Sequence, residues 1–286
     1  MNNETHDWSD WIGRTQEERD LLSASDVGQL AGALFGREWT ADSGFAPPLA
    51  HWMCFRPAWM RDATGTDGHP ARGGFLPPVP LPRRMWAGGA LEWHRPVPVD
   101  VPLRRISTVA SVTAKQGASG ALVFVSVDHA ISDPDGPVVN ERQDIVYRAD
   151  PAAGTPARDA GRPAPDLPAT AGLRPDPVML FRFSALTGNS HRIHYDAAYA
   201  REEEHYPALV VHGPLTAMAL LDHATRVAGR HPAHFRFRGT RPLFLGDTIT
   251  LGCGLPDGDR TVTLAASDQT GALCMQADAR FTPGQD

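Results

Sequence analysis

Four of the chain's twelve histidines fall in one short stretch, as His191, His194, His205 and His212. Imidazole takes up and releases a proton near neutral pH, so such a cluster can do acid/base chemistry. The stretch opens with Gly188-Asn189-Ser190-His191-Arg192-Ile193-His194-Tyr195-Asp196 and closes with Val211-His212-Gly213-Pro214. The second motif reads as a helix start. Proline is tolerated in a first turn, and the N–H groups there have no intrahelical acceptor. Glycine lets a ligand approach that N–H closely, and the helix dipole favours negative charge on it. The set can therefore move a proton beside a carbonyl whose oxygen gains charge. His194 carries the proton and the Gly213 N–H holds the oxygen. Asn189 orients water or a hydroxyl, since an amide cannot act as a base.

Each residue also has a blander reading. His194 could cap a turn before Asp196, itself a good N-cap for the run that follows. His212 could order the helix start rather than touch a substrate. His191 and His205 read as solvated loop residues. Arg192 could bind a carboxylate or phosphate bidentately, or hold Glu202 or Glu203 in a surface pair. Tyr195, Arg84 and His212 join Arg192 as candidate substrate contacts, and Arg83 and Arg84 could meet phosphates or be plain solvated charge. A metal site built from the four histidines is not expected, because His-x-x-His is off the i,i+4 spacing of helical zinc pairs. Cys54, Cys253 and Cys274 are odd in number and lack a Cys-x-x-Cys pair, so they read as small buried hydrophobes.

The elements that must position these residues follow from turn signals and periodicity. Residues 11–20 read as a charged helical entry, and Ser25 caps a helix that stops at Gly36. Pro48 opens a second helix, apolar on all sides, that other structure must wrap. Residues 56–84 form a long Gly/Pro loop of the kind that serves as a lid. Trp52, Trp59, Trp86 and Trp93 read as packing in the core or under that lid. Strands are expected at 91–98, 105–115, 121–131 and 139–148. An Ala/Pro/Gly linker at 151–176 separates an N-terminal domain, 1–150, from a C-terminal one, 177–286. Beyond it come a strand start at 178–183, a helix from Pro214 closed by Gly229, and strands at 234–239, 248–255, 261–267 and 273–281.

The two halves share a skeleton. Pro-Leu opens a buried helix at Pro48-Leu49 and again at Pro214-Leu215, and Arg-Pro-aliphatic follows an aromatic-bearing strand at Arg95-Pro96-Val97 and Arg241-Pro242-Leu243. A duplicated unit, one buried helix wrapped by a curled antiparallel sheet, is the reading: an α+β chain with a tandem, double hot-dog fold. The histidine cluster lies in the second copy. The first is expected to be non-catalytic, a wall, a lid and a pairing surface.

At these residues the chain resembles the MaoC-like hydratase/dehydratase superfamily. Pro82-Arg83-Arg84-Met85-Trp86-Ala87-Gly88-Gly89 and Asp144-Ile145-Val146-Tyr147-Arg148 are similar to the N-terminal domain of its two-domain branch, the type 2 hydroxyacyl-thioester dehydratases and mesaconyl-CoA hydratases. The resemblance spans about residues 12–282. The superfamily motif reads Asp-x-Asn-Pro-x-His. Here Asn189 stands at the Asp and His191-Arg192 at the Asn-Pro, while His194 is kept. The resemblance implies a hydro-lyase that reversibly hydrates a 2-enoyl thioester to the 3-hydroxyacyl thioester. The handle would be CoA or an acyl carrier protein, with no cofactor beyond it, and the assembly a homodimer. A thioesterase or a non-catalytic acyl-thioester-binding protein is the alternative on the same scaffold. Asn189 in place of a carboxylate speaks against the first and permits the second.

Composition sets the outer bounds. A chain of 286 residues, 42% hydrophobic and 21% charged, can bury two cores. Its net charge of -6 argues against a nucleic-acid partner, which needs a basic face. There is no apolar run of the ~20 residues a membrane helix needs, and the N-terminus is polar with no apolar core. A cytoplasmic protein without a membrane partner is expected.

Overall fold

The structure is a computed structural model that describes residues 8–43, 45–57, 60–117, 120–150, 160–256 and 261–282. Trp59 and the linker residues 151–159 lie outside the described residues. The first half runs β1 (Thr15–Leu21), α1 (Ala24–Leu30, continued by a wider turn Ala31–Phe35), a 3-10 turn Ala50–Met53, then β2 (Arg83–Trp93), β3 (Pro102–Gly117), β4 (Gly120–Asp133) and β5 (Gly136–Arg148). The second runs β6 (Ala169–Leu173), α2 (Pro177–Thr187), α3 (Ala197–Glu202), α4 (Gly213–Ala228), β7 (Pro232–Gly239), β8 (Ile249–Cys253), β9 (Val262–Ser267) and β10 (Leu273–Phe281).

All ten strands form one open sheet in the order β1-β3-β4-β5-β2-β7-β10-β9-β8-β6. Read inward from either end, the order is the same strand for strand. The duplication is therefore real, and the copies join where β2 pairs with β7. At that seam the backbones come very close. A Cβ on Gly88 would sit 2.5 Å from the Phe237 carbonyl oxygen of β7, and on the opposite side of β2 one on Gly89 would sit 2.6 Å from that of Arg142 on β5. Gly88→Ala is expected to destabilise the protein by about 1–3 kcal/mol, because neither backbone has room to give. A fall in the denaturant midpoint would show it.

In the second copy α4 is the central helix, with ten buried residues from Leu215 to Ala224. It starts at a proline turn and ends at Gly229 with φ +63°. Among the described residues the first copy has no counterpart. Where a helix from Pro48 was expected there is only the four-residue turn, entered through Leu49 in the left-handed region and left through extended Cys54. The two prolines fix the entry, but nothing C-terminal to them sustains the hydrogen-bond ladder. The helix that does repeat is α1, matched by α2.

Several other expectations give way. Residues 178–183 are helical: Asp176 accepts the Met179 N–H, Pro177 takes the first turn and Gly188 closes with φ +63°. Those caps outweigh an apolar run that periodicity alone reads as a strand. Residues 11–20 are not a helix but lead into β1, whose Glu17 and Glu18 pair with Arg104 and Arg105 on β3. A charged strand of this kind suits a sheet edge. The α1 cap is Ser23, not Ser25. The strand read at 91–98 begins at Arg83 and ends at Trp93. The linker is shorter than 151–176, since β6 pairs with β8 and Pro163 bridges Ala272. All three cysteines are free and buried, and no described helix is long and apolar enough to cross a membrane.

Candidate active site

The site is built around the first turn of α4. His212 is its N-cap, wholly buried, with Nε2 2.8 Å from Ser184 Oγ on α2 and Nδ1 left without a partner. Gly213 follows, half-exposed, and a Cβ there would lie 3.9 Å from the Trp86 carbonyl of β2. The N-terminus of α4 thus faces the seam strand of the other half.

His194 ends a 3-10 turn, Arg192–His194, that the Val210 N–H ties down through the Ile193 carbonyl. Its Nδ1 lies 2.7 Å from the Val210 carbonyl, which can only accept, so Nδ1 carries the proton and Nε2 keeps a lone pair. Nε2 has no partner among the described residues, yet it is not one of the sealed polar atoms. The ring stacks on His212 at 3.7 Å. His191 stands edge-on to His194 at 5.6 Å, and His69 lies 4.3 Å beyond it. A row of four imidazoles results. Burial, with His191 and His69 beside it, holds His194 down at about 3 against the pull of the Val210 carbonyl. Burial and His69 bring His191 to about 3 as well, and burial and His194 push His212 well below its ordinary value. At neutral pH these three rings are uncharged.

Asn189 accepts the His191 N–H through Oδ1 at 3.0 Å. It lines a cavity of about 130 Å³ together with Trp52, Trp86, Phe183, Thr187 and Pro214. His194 is not part of that lining. It lies behind His212, whose ring is 4.9 Å from Phe183. The structure thus stacks His194 on His212, the residue before Gly213, and ties Asn189 to the His191 N–H, while only Asn189 of these four lines the cavity.

Other candidates fall elsewhere. Arg192 is engaged with Asp196 at 2.8 Å, with the Thr66 carbonyl and with the Tyr199 ring; neither Glu202 nor Glu203 is its partner. Asp196 also caps α3, as read from the sequence. Tyr195 is exposed, its hydroxyl donating to the Ser190 carbonyl. Arg83 is buried and bonded to Asp150, Glu204 and Tyr206, so it is not a solvated charge. His205 is exposed on a left-handed turn, whereas His191 is buried, contrary to its reading as solvated.

Arg84 remains. It is half-buried beside Tyr147, its cross-strand partner, and forms no ion pair among the described residues. It shares a face of β2 with Trp86, two residues on, which does line the cavity.

No local motif singles out His69 and Asp67. Asp67 Oδ2 lies 3.1 Å from His69 Nδ1. The loop that carries them docks on residues 190–192: the Arg192 N–H meets the Asp67 carbonyl at 2.9 Å, and Ser190 Oγ the Gly68 carbonyl at 2.5 Å. Spacing cannot signal such an approach across more than a hundred residues. Asp67, His69 and His191 present ligand atoms within 4.8 Å of one another. The charges of Arg84 and Arg72 face His69 as well. Two guanidiniums against one carboxylate make this end of the site better suited to an anion than to a metal cation.

A family model described as hydroxyacyl-thioester dehydratase type 2 matches residues 49–245. The chain is 43% identical over 279 residues to a mesaconyl-C(4)-CoA hydratase of Chloroflexus aurantiacus, covering 95% of this chain and 96% of that one. It is 26% identical over 267 residues to a mitochondrial hydroxyacyl-thioester dehydratase type 2 of Schizosaccharomyces pombe, covering 82% and 88%. Among solved structures, a MaoC-like dehydratase superposes with a TM-score of 0.72 at 16% identity, over 95% of this chain and 98% of that one.

Proposed function

This chain belongs to the hydroxyacyl-thioester dehydratase type 2 family, and we propose that it hydrates a short 2-enoyl-CoA reversibly, with His194 as the proton carrier. The observation that carries this reading is the His194 tautomer. Its Nδ1–H is committed to the Val210 carbonyl, which leaves Nε2 as a lone-pair base on a ring stacked against the residue preceding Gly213. In the hydration direction a water oxygen bonds to Cβ and its proton goes to Nε2. The C=C electron pair shifts onto the thioester oxygen, where the Gly213 N–H and the helix dipole stabilise it. The enolate then takes the proton back at Cα, and the imidazole is neutral again. Asn189, its Oδ1 occupied, offers its amide N–H groups to the water or the product hydroxyl.

Arg84 is assigned to the negative charge of the substrate. The relative named for mesaconyl-C(4)-CoA makes a CoA thioester of a short unsaturated dicarboxylic acid the first compound to test. An acyl-carrier-protein handle and a homodimer belong to the same reading. The test is a panel of enoyl-CoAs read by mass spectrometry, where a mass gain of one water supports the assignment. CoA release to a thiol reagent would favour a thioesterase instead, and binding without turnover a non-catalytic acyl-binding role.

The docked loop should matter to this reaction. Gly68 has φ +91°, and a Cβ there would lie 2.0 Å from the Ser190 carbonyl oxygen, so Gly68→Ala cannot dock as the wild type does. Turnover is expected to fall roughly tenfold through misplacement of the catalytic loop. Circular dichroism should show the sheet intact.

A further inference from the structure

The two tryptophans that close the cavity are fixed by their own N–H groups. Trp52 Nε1 donates to Glu141 at 2.9 Å and Trp86 Nε1 to the Gly88 carbonyl at 2.8 Å. Their rings meet edge to face at 4.8 Å, and Phe237 backs both at 5.9 and 6.0 Å. Glu141 is itself buried and accepts from His51 and Gln143 as well. An indole held by ring contacts on one side and by a buried carboxylate on the other cannot swing aside cheaply. The wall is therefore rigid, and it stands opposite Asn189 and Pro214 at the start of α4.

The volume it leaves is small. An apolar cavity of ~150 Å³ holds one benzene, so about 130 Å³ between these walls matches the bulk of a short acyl tail. Trp52 is carried on the short turn that stands in the first copy where a helix was expected.

We propose that Trp52 is a specificity-determining residue, an anchored stop that restricts the enzyme to short-chain acyl thioesters. The proposal rests on the hydratase reading above and deepens it by naming the substrate class. The first copy thereby sets what the second copy's chemistry can reach.

The experiment is a chain-length series of trans-2-enoyl-CoAs, from crotonyl through hexenoyl and octenoyl to dodecenoyl, on wild type and on Trp52→Leu. Wild type is expected to lose roughly tenfold or more in kcat/KM for each step beyond the pocket's capacity. Trp52→Leu is expected to move the preference to octenoyl- or dodecenoyl-CoA, mostly through KM, with kcat for crotonyl-CoA changed less. A wild-type profile that is flat with chain length overturns the proposal while leaving the hydratase reading intact. So does a folded Trp52→Leu enzyme that keeps the wild-type preference. Absence of hydration for every chain length and also for the CoA thioester of a short unsaturated dicarboxylic acid sinks the hydratase reading instead. Should Trp52→Leu fail to fold, Trp52→Phe, which keeps most of the packing, is read in the same way.

Discussion

His194→Asn is expected to lower the turnover of a short enoyl-CoA by ~10²–10⁴-fold and to leave the protein folded. Asparagine can place an amide N–H near the position of Nδ1 and so keep the bond to the Val210 carbonyl, but it offers no lone-pair base in place of Nε2. His194→Ala removes both and should add a stability loss to the same loss of rate. A His194→Asn protein that retains wild-type kcat would refute the role assigned to this ring. The pH dependence gives a second reading. The folded-state value, about 3, lies below the ordinary 6.5. The stabilisation from keeping this ring neutral is therefore fully present above pH 6.5 and is lost as pH falls from there through about 3. His191 and His212, depressed in the same direction, act alike. Wild type should thus lose stability below pH 6.5 more steeply than His194→Asn. Urea midpoints measured between neutral and mildly acidic pH would show the difference.

The C-terminal half of the site was legible because its parts are close in sequence and each leaves a local mark. Gly-Pro opens α4, Asp196 caps α3, and Asn189, His194 and His212 fall on the turns between them. The tautomer of His194 was not legible, since its partner is a backbone carbonyl. Arg192 illustrates a second limit. Its type suggested an anion, but Asp196, four residues on, is nearer than any ligand and takes the charge. The duplication was readable from the recurring Pro-Leu and Arg-Pro pairs, yet those pairs matched α4 with a turn that is not a helix. The true partner of α1 is α2, whose caps, Asp176-Pro177 and Gly188, flank an apolar run that periodicity alone reads as a strand. His69, Asp67 and Trp52 reach the site from the other half through loop docking and strand pairing, for which a single sequence carries no signal.

Glu141→Ala is expected to destabilise the protein by about 3–5 kcal/mol, the cost of leaving buried partners without their carboxylate. Glu141 is 5% exposed and accepts from His51 Nε2 at 3.0 Å, Trp52 Nε1 at 2.9 Å and Gln143 Nε2 at 3.0 Å. His51 Nδ1 already lacks a partner, so the imidazole has no second bond to fall back on. Glu141→Gln keeps the shape and one acceptor oxygen and should cost less, about 1–3 kcal/mol. Burial alone would raise the carboxyl, but the hydrogen bond and charge of His51, helped by His129 and Gln143, bring it down to about 2. A depressed folded value means that its stabilisation is complete above the ordinary 4.5 and is lost as pH falls from there through about 2. The gap in stability between wild type and Glu141→Gln should therefore narrow over that interval. Glu141→Ala removes the acceptor of the Trp52 indole, so it should also blunt the chain-length preference without touching any residue that handles protons. A variant that loses stability and yet keeps a sharp preference for short chains would show that ring packing alone holds Trp52 in place.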